Sequence, residues 1–303
     1  MHRVFFVLSK ISASQKRVRL REQLASGKLL RFPGAFSPLV ALEAQRHGFE
    51  GIYASGAVIA ADLALPDIGL TTLSEVAVRS EQIARMVDLP TLVDIDTGFG
   101  GPMNAARTIR TLEAAGVAGC HIEDQVNPKR CGHLDNKRVV PTEEMVMRVR
   151  AAVAARVDPD FVICARTDAR AIEGVDAAIA RAHAYLEAGA DMIFPEALLD
   201  EREFEVFRRA VDAPLLANMT EFGKSALLDT ATLSSLGYNA VIFPVTALRL
   251  AMSAVRGGFG EIASLGTQRG LVKKMQTRQE LYELLRYSDY ETFEVGVWNI
   301  TRE

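Results

Sequence analysis

Lys129-Arg130-Cys131-Gly132-His133 places one thiol among three potential cations and beside a glycine. Cationic neighbours lower a thiol's pKa and make it reactive, and a flanking glycine lets a backbone bend. Cys131 is therefore a candidate catalytic group, with Lys129 and His133 as its electrostatic partners and Gly132 as the bend of a lid. A second group is acidic. Asp94-Ile95-Asp96 and His121-Ile122-Glu123-Asp124 each close an apolar run, and residues two apart on a strand share a face. Asp94 and Asp96 are expected to point together, as are His121 with Glu123, Tyr53 with Ser55, and Asn218 with Thr220. Three carboxylates at one place repel each other unless a cation lies among them. Oxygen donors with no evident histidine ligand favour Mg²⁺, or Mn²⁺, over zinc. Arg166 suits a bidentate carboxylate clamp.

A metal, an arginine and a thiol together point to a substrate with several carboxylates. The metal would stabilise an enolate as charge develops, and the thiol would move a proton to or from carbon. Nucleophilic attack by Cys131 is the competing role. The sequence has no Ser-His-Asp pattern, no glycine-rich nucleotide loop at a first strand and no zinc-ligand spacing.

Such groups need a scaffold that brings strand ends to one mouth. Eight short apolar segments recur, each followed by a stretch of helical periodicity: Leu29–Pro33, Gly51–Ser55, Thr91–Asp96, Gly119–Glu123, Phe161–Arg166, Asp191–Pro195, Leu215–Asn218 and Ala240–Phe243. Gly116, Gly189 and Gly237 stand just before strands, where helix C-caps belong. Eight such units with no dividing linker predict an α/β fold, a single (β/α)₈ TIM barrel over residues 1–303. Its chemistry then lies at the C-terminal strand ends. By the same alternation Cys164 belongs in the barrel interior and Cys120 faces the helices, both as packing residues. Residues 1–28 read as a basic helical segment, and 271–303 as a helical tail whose part from Leu271 to Arg286 forms one further amphipathic helix.

The 303 residues carry a net charge of −3, which argues against nucleic acid as the main partner. Three cysteines without paired spacing exclude a disulfide framework and fit a reducing compartment. The apolar run Val4–Leu8 is too short for a membrane span. Before residue 22 there are Arg3, Lys10, Lys16, Arg17, Arg19 and Arg21 and no acid. A mitochondrial transit segment would look similar, but the reading adopted is a basic N-terminal helix of a cytoplasmic protein.

The segments Asp94-Ile95-Asp96-Thr97-Gly98-Phe99-Gly100, His121-Ile122-Glu123-Asp124-Gln125 and Lys129-Arg130-Cys131-Gly132-His133 occur in order. They are followed by Ala165-Arg166-Thr167-Asp168-Ala169, Ala190-Asp191-Met192-Ile193-Phe194-Pro195-Glu196, Asn218-Met219-Thr220-Glu221-Phe222-Gly223 and Met275-Gln276-Thr277-Arg278. With these motifs the chain resembles the isocitrate lyase and phosphoenolpyruvate mutase superfamily from about Arg31 to the C-terminal helix, and within it the methylisocitrate-cleaving branch. The resemblance implies cleavage of 2-methylisocitrate to pyruvate and succinate, in the 2-methylcitrate route of propionate catabolism. It also implies a barrel assembled as a homotetramer, a dimer of dimers, with the helix after the eighth strand exchanged between subunits. Carried over residue by residue, Asp94 and Asp96 bind Mg²⁺, Glu123 supports the coordination shell, and Asp67 is a further acid for it. Ser55, Gly56, Ala57, Cys131, Gly132, Arg166, Glu196, Asn218, Thr220, Arg249 and Arg278 contact substrate. Cys131 protonates the carbanion, Lys129, His133 and Arg166 stabilise charge, and Tyr53 is the base.

Two features bear on the substrate. Isocitrate lyases are longer and usually carry Ser-Pro-Ser-Phe after the strand-seven asparagine, whereas here Thr220-Glu221-Phe222-Gly223 follows Met219. The Cys131 loop speaks against phosphonomutases and oxaloacetate decarboxylases, which generally lack it. Cleavage of isocitrate or 2,3-dimethylmalate are the enzyme alternatives. A silent binding barrel is the non-enzyme one, and it predicts loss of acids or thiol that are all present.

Overall fold

The computed structural model describes residues 9–134 and 136–300, with the side chains of 299 and 300 excepted. Arg3 and the run Val4–Leu8 lie outside the described residues. Eight parallel strands appear: β1 (Leu30–Pro33), β2 (Ile52–Ala54), β3 (Thr91–Asp94), β4 (Gly119–Glu123), β5 (Val162–Thr167), β6 (Met192–Pro195), β7 (Leu216–Asn218) and β8 (Ala240–Phe243). One run of pairing is β2-β3-β4-β5-β6 and another is β1-β8-β7. Parallel bridges Gly34–Tyr53 and Ile193–Leu215 join the two runs. The Ala35 N–H donates to the Tyr53 carbonyl at 2.9 Å and the Ile193 N–H to the Pro214 carbonyl at 2.9 Å. The ring is thereby closed as the (β/α)₈ barrel expected.

Alternation along the strands divides the core. Phe32, Tyr53, Leu92, Cys164, Phe194 and Ile242 pack inside the barrel. Val93, Cys120, Ile163, Ile193 and Val241 pack outward with the helices. The two cysteines lie on the sides that strand parity assigned to them. Gly116, Gly189 and Gly237 have φ of 78°, 103° and 84°, a conformation that favours glycine as a helix ends.

The basic N-terminal segment forms a helix, Ala13–Ala25, with a Ser12–Gln15 capping box. Leu20 and Leu24 close the lower end of the barrel interior. Burial of each contributes roughly 1.5–3 kcal/mol, and the cations of this helix are built in as well. The Arg17 side chain donates to the carbonyls of Val117 (3.0 Å) and Glu113 (2.6 Å) and pairs with Asp158 (2.9 Å), while Arg21 pairs with Asp191 at 2.8 Å. This helix is part of the barrel's structure.

Two local expectations are corrected. Strand β3 stops at Asp94, not Asp96, because Asp96 turns into the left-handed region at φ 48°. The tail is not one helix from Leu271 to Arg286. A 3₁₀ turn (Arg269–Lys274) is followed by helices Arg278–Leu284 and Tyr287–Ile300. The break has a sequence cause: Thr277 and Glu280 make a capping box that starts a new helix, and Arg286 at φ 55° ends it.

Candidate active site

At the C-terminal ends of the strands is a cavity of about 60 Å³, room for a few water molecules. Tyr53, Ser55, Ala57, Asp67 and Asp94 line one side, and Lys129, Cys131, Gly132 and His133 cover it. Arg166, Glu196, Asn218 and Thr220 line the opposite wall, together with Phe194, Ile242, Pro244 and Val245. Most of the residues nominated from sequence therefore converge here. The four apolar wall residues were not nominated, since in the sequence they are indistinguishable from core.

The acids are arranged differently from the expectation of three carboxylates around one ion. Asp94 and Asp96 both face Gly56: a Cβ there would stand 2.9 Å from Asp94 Oδ2 and 3.3 Å from Asp96 Oδ1. The Gly56 N–H donates to Asp94 Oδ2 at 3.2 Å, and the Asp96 N–H to Asp94 Oδ1 at 3.0 Å. Glu123 is fully buried, accepts no hydrogen bond at either carboxylate oxygen and has Arg166 Nη1 3.3 Å away. Among the described residues no three acid, histidine or cysteine side chains gather as a ligand cluster. The chain's own cations explain this. Lys129 Nζ pairs with Asp67 and, at 2.8 Å, with Asp96, and Arg166 takes up Glu123. The donors still fit Mg²⁺, which commonly binds through one or two carboxylates and keeps several waters. Two observations support the fit: any side chain at Gly56 would crowd the paired aspartates, and the buried Glu123 carboxylate beside them accepts no hydrogen bond.

Electrostatics follow from burial. Burial and the neighbouring Asp94 push the Asp96 carboxyl up to about 6 despite Lys129. Asp94 is held below its ordinary value because His121, Lys129 and Arg166 outweigh its burial. Burial pushes Glu123 well up and lowers His121 to about 4. The Tyr53 hydroxyl lies 2.7 Å from His121 Nε2, and burial raises its pKa well above the ordinary phenol value. Tyr53 is thus a neutral hydrogen-bonding group, a poor fit to the base assigned from sequence.

Cys131 departs furthest from its first reading. Its thiol pKa is raised, chiefly by burial, with the His133 N–H and Arg166 only partly offsetting. The cations that should have activated it are already spent. Lys129 serves Asp67 and Asp96. The Lys224 N–H donates to His133 Nδ1 at 3.0 Å, so His133 presents its Nε2 proton to Glu196 Oε1 at 3.0 Å. A thiol kept protonated at neutral pH is a proton donor, not a nucleophile.

Arg166 anchors the opposite wall. Its Nε and Nη2 donate to Asp168 at 2.9 and 3.1 Å, and Nη2 lies 3.2 Å from Glu196 Oε2. Asp168 had not been nominated, although it follows Arg166 by two residues and shares its parity. Gly132 is also reinterpreted. Its φ is not positive, and a Cβ there would stand 2.5 Å from Glu196 Cγ and 2.8 Å from Asp168 Oδ1. Glycine is required for close approach of the loop, not for bending. Gly132→Ala is expected to lift the loop off Arg166 and lower kcat by about 10²-fold, read by steady-state kinetics; a kcat within twofold of the parent contradicts the contact.

A sequence model of phosphoenolpyruvate phosphomutase matches residues 20–263. The chain belongs to the phosphoenolpyruvate phosphomutase family. Family relatives include a probable 2-methylisocitrate lyase of Corynebacterium glutamicum, 63% identical over 95% of this chain and 95% of its own. A 2-methylisocitrate lyase of Aeropyrum pernix is 50% identical over 90% and 88%. Among solved structures, 2,3-dimethylmalate lyase superposes with a TM-score of 0.87 at 34% identity, over 95% of this chain and 96% of that one. A phosphonopyruvate hydrolase in complex with oxalate and Mg²⁺ gives 0.85 at 32%, over 94% and 99%. The family barrel is thus common to this chain and to these enzymes.

Two arginines expected in the site lie elsewhere. Arg249 donates to the Glu221 carbonyl at 2.5 Å, pairs with its carboxylate at 3.2 Å, and stacks over Phe222 at 4.9 Å. Its helix, Thr246–Leu265, leaves the barrel mouth, so the guanidinium lines a separate surface groove. Arg278 is exposed at the start of its helix in the tail, because the tail's chain path carries it away from the cavity.

Proposed function

We propose that this chain is a carbon–carbon lyase that cleaves 2-methylisocitrate to pyruvate and succinate in the 2-methylcitrate cycle of propionate catabolism. The observation that carries the reading is a half-buried thiol, its pKa raised rather than lowered, set over a cavity of paired acids and one arginine. Relatives named for the same reaction at 50–63% identity support it.

Asp94 and Asp96 would hold Mg²⁺, with Glu123 and Asp67 as the further acids of the site; Mn²⁺ has the same donor preference. When bound, the ion would supply positive charge at the hydroxy-acid end of the substrate. Tyr53, steadied by His121, orients the C2 hydroxyl. Arg166 and Asn218 receive a substrate carboxylate, with Ser55, Ala57, Glu196 and Thr220 completing the wall. The C2 hydroxyl passes its proton through the Tyr53 hydroxyl to neutral His121 Nε2 as the C2–C3 bond breaks, giving pyruvate, and the electron pair stays on C3 as a succinate enediolate. Cys131 protonates that carbon. Lys129 and His133 hold their neighbouring acids in place as the loop excludes water. Opening of the loop over the cavity admits the substrate.

The helix Thr246–Leu265 has no buried residue, and Leu250, Phe259 and Leu265 are about two-thirds exposed. Such a face supports exchange of this helix between subunits of a homotetramer. Three free thiols support a reducing cytoplasm. No described helix is long and apolar enough to cross a membrane.

Pyruvate release from 2-methylisocitrate, isocitrate and 2,3-dimethylmalate, each with and without Mg²⁺, tests the assignment. Mg²⁺-dependent turnover is expected to be fastest on 2-methylisocitrate. A comparable rate on either of the others overturns the substrate.

A further inference from the structure

The loop over the cavity contains one buried cation that the mechanism does not use. Lys137 is only 6% exposed, although it lies in a polar stretch whose neighbours Asn136 and Arg138 are exposed. Its ammonium donates to the Gly132 carbonyl and to Asp168 Oδ1, the latter at 2.9 Å. An ammonium so far from water is tolerated only when paired and hydrogen-bonded, and Asp168 is itself fully buried. The same Asp168 carboxylate receives both Nε and Nη2 of Arg166. Lys137 follows Gly132 by five positions, so the side chain folds back and closes the loop on itself.

Among the described residues of this loop no large apolar side chain is buried. Between Lys129 and Arg138 the one large apolar side chain among the described residues is Leu134, and it is 55% exposed. What ties the loop down is polar. Gln125 Nε2 donates to the Arg130 carbonyl at 2.8 Å and Gln125 Oε1 accepts the Arg130 N–H at 2.9 Å. The Lys137 tie differs from these in reaching the residue next to Cys131 and the strand that bears Arg166.

We propose that Lys137 is a positioning residue that latches the loop, so that a single Asp168 carboxylate orients both the proton donor and the substrate clamp. Through the Gly132 carbonyl it sets where the Cys131 thiol stands, and through Asp168 it is coupled to the guanidinium on the opposite wall. Removing the ammonium leaves Asp168 to Arg166 alone and frees the loop. The consequence for turnover rests on the proposed role of Cys131, whereas the latch itself does not.

The test uses the full chain with Lys137→Met and Lys137→Arg. Cys120 and Cys164 are fully buried, so iodoacetamide labelling in the native protein reports on Cys131, with Cys131→Ser as the blank. For Lys137→Met, labelling is expected to be about tenfold faster. Its kcat for pyruvate release is expected to fall about 10²-fold with KM within about threefold. Lys137→Arg, which restores a cation, is expected to recover most of both; it also serves as the reading if the Met variant does not fold. Labelling and kcat both within twofold of the parent overturn the latch. So does a loss of kcat that Arg does not relieve, with KM rising in parallel, because that describes a general structural lesion. If Cys131→Ser proves fully active, the proton-donor role fails while faster labelling of Lys137→Met still upholds the latch.

Discussion

Cys131→Ser is expected to lower kcat by about 10²–10⁴-fold while leaving Mg²⁺ binding unchanged. The thiol and the hydroxyl are close in size, so the loop should keep its polar ties to Asp67, Asp96, Asp168 and Glu196. What changes is acidity: a serine hydroxyl is a far weaker acid than even a thiol whose pKa burial has raised. Calorimetric Mg²⁺ titration together with single-turnover pyruvate release separates the two effects. Strong residual turnover would falsify the proton-donor role. A lost Mg²⁺ signal would mean instead that the substitution disturbs the Asp94 and Asp96 side.

The second large effect concerns stability. Arg166→Met removes one guanidinium that faces Glu123, Asp168 and Glu196, all fully or almost fully buried. Breaking a buried ion pair by deleting one partner typically costs about 3–5 kcal/mol. For a chain of this size that corresponds to a fall in Tm on the order of 10 °C. The pH dependence has a definite sign. Arg166 holds the Glu196 and Asp168 carboxyls below their ordinary values, against their burial. Their contribution is present above the unfolded carboxylate value of about 4 and is lost as pH falls through the depressed folded values. The gap in stability between parent and Arg166→Met should therefore be widest near neutral pH and narrow below about pH 4. Differential scanning calorimetry across pH measures it. A gap that stays constant with pH would remove the charge network as its cause.

Both predictions depend on features of unequal visibility in the amino-acid order. Strands were legible because each is a short apolar run whose parity sorts its side chains. Cys164 inside, Cys120 outside and Tyr53 toward the mouth all follow from counting by two. Helix ends at Gly116, Gly189 and Gly237 were legible because a positive φ selects glycine. Parity failed at Asp96, which reaches the site through a left-handed turn after the strand has ended. It also failed for the tail, where a capping box at Thr277 interrupts a periodic pattern.

The sequence by itself determined the barrel, its strand parity, the family motifs and nearly all residues that meet at the mouth. These depend on local spacing and side-chain type, which the chain carries in order. Tertiary structure alone decided which charge meets which. Lys129 was assigned to Cys131 by adjacency, yet it pairs with Asp67 and Asp96, 62 and 33 positions away. Lys137 gave no signal, because its partner Asp168 comes from the next strand. The acidity of Cys131 was likewise undecided until burial was known. Desolvation and ion pairing depend on everything a fold brings within a few ångströms, and loops from separate strands meet only when the barrel has closed.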